Sequence, residues 1–569
     1  MVSIKDNKRF IALLRLIIKN NSTLEKLKVI LMNKSGYVLL FLFTICTLNS
    51  TFGQFGFIYK DSILVKNGAD TLKLAWAGGL NYGQFSDIDY DFDGDMDLFV
   101  FDRSKDNIRV FTQEDVGNGK FYKLAYNAQD KFPSDLRYRT VLVDYDNDGR
   151  KDIFTYGIGG LKVYRNVGDA LNGLQWELYQ NLVYTEYPGG YFNLYVSSSD
   201  IPAIVDIDGD GDIDVLTFHQ GGSHVEYHQN QSMELYGIPD SLIYVLKNEC
   251  WGKFKEDVVT NAILLNDPNS PCVGGSIPNP EIDDPENRNS SEHSGSTLLA
   301  LDYNNSGVMD LIVGDVSYTN LNLLINGGTA VNTDSPMISV DPNFPATSTP
   351  VVMQIFPAAF YVDVDFDGIK DLIVCPNAKN VSVNKNSVLF YKNMGTNANP
   401  NFFFSTNSFL QNEMIEHGTG SIPVFSDLNE DGLEDLFVAN FYQYKPVLDK
   451  ESTIAYYRNT GSPATPEFTI IDNDFLNLSS ESYGLRSVPC FGDIDGDGDD
   501  DLLLGLENGT LVFYENFSVG AGAVFGAGIT NYQDNTGTTI NSGGYAHPQL
   551  FDLNSDGLLD LIIGKKQAK

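Results

Sequence analysis

Eight times along the chain a nine-residue pattern returns, D-x-[DN]-x-[DS]-G-x-x-D, which gathers oxygen-bearing side chains at alternate positions around one glycine. The first copy has Asp89, Asp91, Asp93, Asp95 and Asp97; the second Asp144, Asp146, Asp148, Arg150 and Asp152; the third Asp206, Asp208, Asp210, Asp212 and Asp214. The fourth keeps Asp302 and Asp310 but has Asn304 and Ser306 between them. The fifth has Asp363, Asp365, Asp367, Ile369 and Asp371, and the sixth Asp427, Asn429, Asp431, Leu433 and Asp435. The seventh has Asp493, Asp495, Asp497, Asp499 and Asp501, and the eighth Asp552, Asn554, Asp556, Leu558 and Asp560.

This spacing suits a hard divalent cation. Calcium takes about six to eight oxygens, and side chains at positions 1, 3 and 5 of a tight loop converge on one point. Glycine at position 6 permits a positive φ, so that the carbonyl of position 7 faces the ion and the carboxylate at position 9 closes the shell. A single Asp/Gly run is an ordinary turn signal. Eight in register predict metal loops. The fourth, with two charged residues, is expected to be the weakest or an empty site.

The flanks describe the elements that must hold these loops. An EF-hand needs a helix on each side and glutamate at position 12, and neither is present. Before the loops stand runs such as IPAIV, SIPVFS, SVPCFG and AHPQLF, with proline four residues ahead of the first aspartate at Pro202, Pro423, Pro489 and Pro548. After them come DLFVFD, DIFTYG, DVLTFH, DLIVGD, DLIVCP, DLFVAN, DLLLGL and DLIIGK. The loop therefore reads as a hairpin connection. A third run ends in Asn, as in LKVYRNVG, VLFYKNMG, IAYYRNTG and LVFYEN, and a fourth follows, as in PNFFFS and PEFTII. Four antiparallel strands per unit, repeated radially, predict an all-β propeller.

These residues resemble the FG-GAP/VCBS repeat proteins, whose folded relatives include the integrin α-subunit head. The resemblance spans nearly all of residues 55–569, and Phe491-Gly492 before Asp493 matches the pair that names the repeat. It implies a calcium ion in each loop between the first two strands of a blade, seven to eight ions in all, and a binding or adhesion role for protein or glycan partners.

Bulk properties agree. The chain has 569 residues, 42% hydrophobic and 20% charged, too apolar for disorder and long enough for one large repeat domain. Its formal charge of -37 opposes nucleic acid and anionic membrane surfaces and implies a cationic partner. From Met32 a short basic region, an apolar core from Tyr37 to Leu48 and small residues at Thr51 and Gly53 read as a signal peptide over 32–53, cut before Gln54. A retained anchor is the alternative, though a span needs about 20 apolar residues. Residues 1–31 read as an upstream extension, and 54–569 as the repeat domain of a secreted or cell-surface protein. Export permits disulfides. Cys250 and Cys272 are the suggested pair, while Cys375 and Cys490 read as buried thiols.

Loop starts lie 55 to 66 residues apart except for the 96-residue step from Asp206 to Asp302, which marks an insertion over 247–295. If the acidic loops join strands one and two, this insertion emerges on the opposite face and decorates a binding surface. The eighth unit lacks two strands. The runs Ser62–Val65 and Leu72–Trp76 are expected to complete it and close an eight-bladed ring. A truncated chain and a seven-bladed ring are the alternatives; proteins of this resemblance often continue into more repeats and a sorting or anchoring module.

Little points to catalysis. No nucleophile elbow, HExxH or phosphate-cradling glycine loop appears. The one histidine cluster, His219 with His224, Glu226 and His228, puts residues 224, 226 and 228 on one side of a strand. It reads as a polar strand face, with a transition-metal or acid/base site as the sharper option. A binding module without enzyme activity is expected, the alternative being a polysaccharide lyase or glycosidase assembled from distant blades.

Overall fold

The runs that follow the acidic loops are rich in Leu, Ile, Val and Phe, too short for helices and bounded by Asp and Gly, which favours fully buried strands. In the computed structural model all eight are strands: Asp97–Asp102, Asp152–Gly157, Asp214–Phe218, Asp310–Asp315, Asp371–Pro376, Asp435–Ala439, Asp501–Gly505 and Asp560–Gly564. The structure describes residues 58–117, 119–257, 260–266, 295–444, 449–518 and 522–565. The upstream extension, the signal segment and residues 267–294 of the insertion lie outside the described residues. Contacts divide the chain into two units, residues 1–60 and 61–569, and every strand belongs to the second.

Each of these strands pairs antiparallel with the run before its loop, so every acidic loop joins strands one and two of a sheet. Five sheets have four strands in sequential order. Sheet one comprises Gly83–Ile88, Asp97–Asp102, Asn107–Asp115 and Lys120–Leu124, and sheet two Thr140–Val143, Asp152–Gly157, Gly160–Asn166 and Trp176–Gln180. Sheet four runs from Ser296–Leu301 to Met337–Asp341, sheet five from Pro357–Val362 to Phe402–Thr406, and sheet seven from Val488–Gly492 to Ile529–Thr530. Sheets three and six have six strands, because a hairpin adds to the outer edge of each. Sheet eight is the pair His547–Phe551 and Asp560–Gly564. Pro423, Pro489 and Pro548 stand in first strands, which are sheet edges, so the missing N–H breaks no ladder.

The sheets pack face to face through apolar clusters that each span two of them. Phe99, Phe101 and Ile108 of sheet one meet Leu142 and Ile153 of sheet two. Phe154 and Val163 then meet Ile204 and Val215 of sheet three. Leu216 and Phe218 meet Leu298 and Leu311 of sheet four, and Ile312 and Leu323 meet Leu372 and Val374 of sheet five. Sheet five then returns to sheet one: Phe85, Leu98 and Val100 share a core with Ala358, Phe360 and Ile373. The first five sheets thus form a closed cycle in a β-propeller-like, all-β fold. Sheets six, seven and eight continue as neighbours, with Phe437 beside Leu502 and Leu503 beside Ala546.

This differs from the expected closure of all eight units. The N-terminal strand Leu64–Asn67 does not complete sheet eight; it lies parallel to Glu467–Asp472 at the edge of sheet six. Val65 is fully buried there, Lys66 pairs with Glu467 at 2.6 Å, and the Trp76 ring meets Phe468 edge-on. The run after Leu72 is a short helical turn, Ala75–Ala77, instead of a second outer strand.

The described part of the insertion is not simply exposed. Trp251 and Phe254 enter the core between sheets three and four, beside Leu298 and Met337. Its hairpin, Phe254–Glu256 with Ile263–Leu265, brings Asn261 to Asn320, in the connection between strands two and three of sheet four and so at the end opposite the acidic loops. Cys250 is disulfide-bonded to a partner outside the described residues, where the suggested Cys272 also lies. Cys375 and Cys490 are free and buried, as expected.

Candidate metal loops

In seven of the eight loops, all but that of Asp89, the first aspartate accepts backbone N–H groups of its own loop. Asp144 accepts the N–H groups of Asp148 at 3.1 Å and Gly149 at 2.9 Å, and Asp302, Asp427 and Asp552 make the same pair of bonds. Position 6 is a glycine at positive φ in every loop, from 83° at Gly307 to 104° at Gly498. Position 4 is also left-handed throughout, at a steric cost where the residue is Phe92 or Phe366. Two left-handed residues two apart fold the backbone tightly enough for positions 1, 3 and 5 to face one point.

The carboxylates do converge. Donor oxygens of Asp89, Asp91 and Asp93 lie within 4.8 Å of one another, as do those of Asp206, Asp208 and Asp210. Asp144 and Asp146 converge with Asp152, and Asp363 and Asp365 with Asp371. In the third loop a second group forms, Asp210 and Asp212 with Glu234, a helical residue that the loop spacing does not reveal. Buried oxygens without hydrogen bonds are Oδ1 of Asp89, Asp95, Asp208, Asp212, Asp365 and Asp499. A set of hard, anionic oxygens with unmet acceptors fits a divalent cation with oxygen preference.

Position 9 has a second task. In seven loops its Oδ2 accepts the N–H of position 2: Tyr90, Tyr145, Ile207, Tyr303, Val364, Ile494 and Leu553. Its Oδ1 accepts the N–H of the asparagine that ends strand three: Asn166, Asn230, Asn326, Asn393, Asn459 and Asn516, at 2.7–2.9 Å, with Gln113 in sheet one. The asparagine amide then bonds the carbonyl of position 8 in four loops, at Met309, Lys370, Glu434 and Asp500. The Asn that ends the third strand of several repeats was visible in the sequence; its partnership with position 9, some 14 to 24 residues upstream, was not.

Burial raises these latch carboxylates despite the N–H donors that lower them: Asp97 and Asp152 to about 7, Asp214 to about 8, Asp310 and Asp371 to about 6. Burial and then the mutual repulsion of neighbours raise Asp91, Asp146 and Asp208. The loops thus hold negative charge against its own preference, which a cation would relieve.

Two loops carry cations of their own. Lys392, from strand three, bonds both Asp365 and Asp367, the latter at 2.8 Å. Arg165 pairs with Asp146, and Arg150 with Asp148. The fourth loop has no acid at positions 3 and 5, and Ser306 Oγ faces the Val308 carbonyl at 3.5 Å.

The histidine cluster is arranged differently from the expected strand face. His224 precedes the strand Val225–Asn230, and His219 takes its place beside Glu226: His228 Nε2 lies 3.3 Å and His219 Nε2 3.9 Å from that carboxylate. The Gly221 N–H donates to His219 Nδ1 at 3.0 Å. With Nδ1 occupied by that N–H, His219 sits in a polar cluster with Glu226 and His228. Among the described residues no helix is long and apolar enough to cross a membrane.

Two stretches, residues 89–155 and 427–504, match the family model of the FG-GAP-like repeat, and between them they span four of the eight loops. Among solved structures, a lectin of Agrocybe aegerita, described as specifically recognising non-reducing terminal N-acetylglucosamine, is similar over 82% of this chain and 92% of that chain, at 13% identity and a TM-score of 0.23. No curated protein matches the chain.

Proposed function

We propose, for a chain that carries FG-GAP-like repeats, that the acidic loops hold calcium and that the loaded, propeller-like array is an exported binding module. It serves at the cell surface or outside the cell, in adhesion to a protein or glycan partner, and does not turn that partner over. The observation that carries this reading is the convergence of three carboxylates within 4.8 Å in loop after loop, with buried oxygens left unmet. Side chains at positions 1, 3 and 5 and the carbonyl of position 7 would hold the ion. Position 9 would contribute whatever lone pair its two N–H donors leave. Calcium supplies positive charge that offsets acid repulsion, so ion binding stabilises the fold. Loops of this kind suit the millimolar calcium of an extracellular medium.

The partner surface has support of its own. On the hairpin at the edge of sheet three, Tyr184 and Tyr191 stack at 5.7 Å and both are exposed, a flat aromatic face that matches a sugar ring. The fourth loop would be the weakest site, and about seven ions would fill the chain.

The test is thermal unfolding of residues 54–569 with excess calcium and then chelator, beside a count of bound ions and a pull-down on glycans and surface proteins. A large calcium-dependent rise in Tm, about seven ions and retention of a partner without release of reducing ends are the expected results. No shift and no bound calcium overturn the metal reading, and released reducing ends overturn the binding one.

A further inference from the structure

Away from every acidic loop, a cavity of about 210 Å³ opens where sheets five and six meet the N-terminal strand pair. Its walls include Lys385 in the connection between strands two and three of sheet five, Glu416 and His417 in the link to sheet six, and Tyr457 on sheet six, with Met414 and Ile470 as an apolar side.

The polar groups are held in place on one side and unmet on the other. Glu416 is 7% exposed; its Oε1 accepts the Gly418 N–H at 2.7 Å and the Leu80 N–H also favours its charged form, while Oε2 makes no hydrogen bond of full geometry. His417 is 4% exposed; its Nε2 is bonded to the Tyr457 hydroxyl at 2.7 Å, while Nδ1 has no partner. Lys385 is partly buried and makes no hydrogen bond or ion pair among the described residues. The backbone also makes room for the acid: a Cβ on Gly79 would sit 1.8 Å from Glu416 Oε2. One unmet buried polar atom is a packing fault, but two neighbouring ones, Glu416 Oε2 and His417 Nδ1, on a cavity that also has the unpaired Lys385 define a surface for something polar.

Their charges narrow the class. Burial pushes Glu416 up to about 8 against the backbone N–H groups of Gly418 and Leu80, so near neutral pH the carboxyl is mostly protonated. Burial pushes His417 down to about 3, so its ring is neutral. Lys385 is then the cation of the cavity; burial lowers its pKa, while Glu416 and Glu451 raise it. The volume lies below the roughly 300–1,000 Å³ of drug-sized ligand sites and gives room for a single ring.

We propose that this cavity binds a small hydroxylated carboxylate the size of one sugar acid, with its carboxylate on Lys385, its hydroxyls on Glu416 Oε2 and His417 Nδ1, and its carbon skeleton on Met414 and Ile470. The site is separate from the calcium loops and does not depend on them.

The test is calorimetric titration of the calcium-equilibrated chain with glucuronate, galacturonate, glucose and acetate. Saturable 1:1 binding of a hexuronate, at least about tenfold tighter than glucose or acetate and lost in Lys385→Met, is the expected result. Because Lys385→Met could disturb folding, protection of Lys385 from an amine-reactive label is mapped in the unaltered chain with and without hexuronate. No hexuronate binding, equal binding of glucose, or a Lys385 labelled equally with and without saturating hexuronate overturns the proposal, leaving the cavity to ordered water.

Discussion

The backbone N–H of Asn166 donates to Asp152 Oδ1 at 2.8 Å, and the Tyr145 N–H donates to Oδ2 of the same carboxylate at 3.1 Å. Asp152 is wholly buried, so it stitches the acidic loop to the third strand whether or not an ion is present. Asp152→Ala strands two buried N–H groups, at about 1–3 kcal/mol each. The expected loss of about 2–6 kcal/mol appears in urea unfolding both in calcium and in chelator. Asp93→Ala, on an exposed residue that accepts only the Asp95 N–H, lowers the ion count while leaving chelator stability nearly unchanged.

Lys392 lies against Asp365 and Asp367 where a divalent ion would sit. Lys392→Met leaves those two acids facing each other. In chelator the variant melts lower, by an amount in keeping with about 0.2–1 kcal/mol for a partly exposed pair. In calcium the rise in Tm is larger than for the unaltered chain, because the ion no longer competes with an ammonium. A calcium titration followed by scanning calorimetry checks both signs.

Glu416 ionises near 8 in the fold, because of burial, against an ordinary value of 4.5. Between those values the unfolded chain has given up its proton while the folded chain keeps it, so this group's contribution is full below about 4.5 and is lost as pH rises through about 8. Glu416→Gln removes that loss. The variant is expected to gain on the unaltered chain steadily from pH 5 upward, by about 3 °C or more in Tm at pH 8.

Arg139 is fully buried and donates to the carbonyls of Gly160 at 2.6 Å, Asp200 at 3.1 Å and Val196 at 3.3 Å, as well as to Ser197. It joins sheet two to the segment that leads into sheet three. Arg139→Met leaves those carbonyls unpaired inside the protein and costs at least about 3 kcal/mol, measured as a lower urea midpoint.

The repeated loop and the strand pair on either side of it were legible. Asp-Gly punctuation every sixty or so residues and apolar runs after Asp97, Asp310 and Asp371 specify hairpins, because loop chemistry and strand burial are short-range properties. What was not legible is long-range. Leu64–Asn67 reads equally well as an outer strand of any sheet, and only the fit of Val65 and Lys66 against Phe468 and Glu467 decides for sheet six. Trp251 and Phe254 stand in polar surroundings that read as exposed loop, yet a wedge between two diverging sheets needs large apolar side chains to fill it. Lys392 and Glu234 reach the acidic loops from other elements, so spacing within a loop could not show them.

The bond from the Gly83 N–H to Cys375 Sγ joins residues 292 positions apart, and Phe85 meets Phe360 across the same seam. A chain made from its N-terminus must therefore present the first sheet with one apolar face bare until the fifth has emerged. Closing so long a loop costs conformational entropy before any contact rewards it. The seam is accordingly expected to form late, leaving the waiting face of sheet one exposed during synthesis, which pulse-labelling hydrogen exchange during refolding would check.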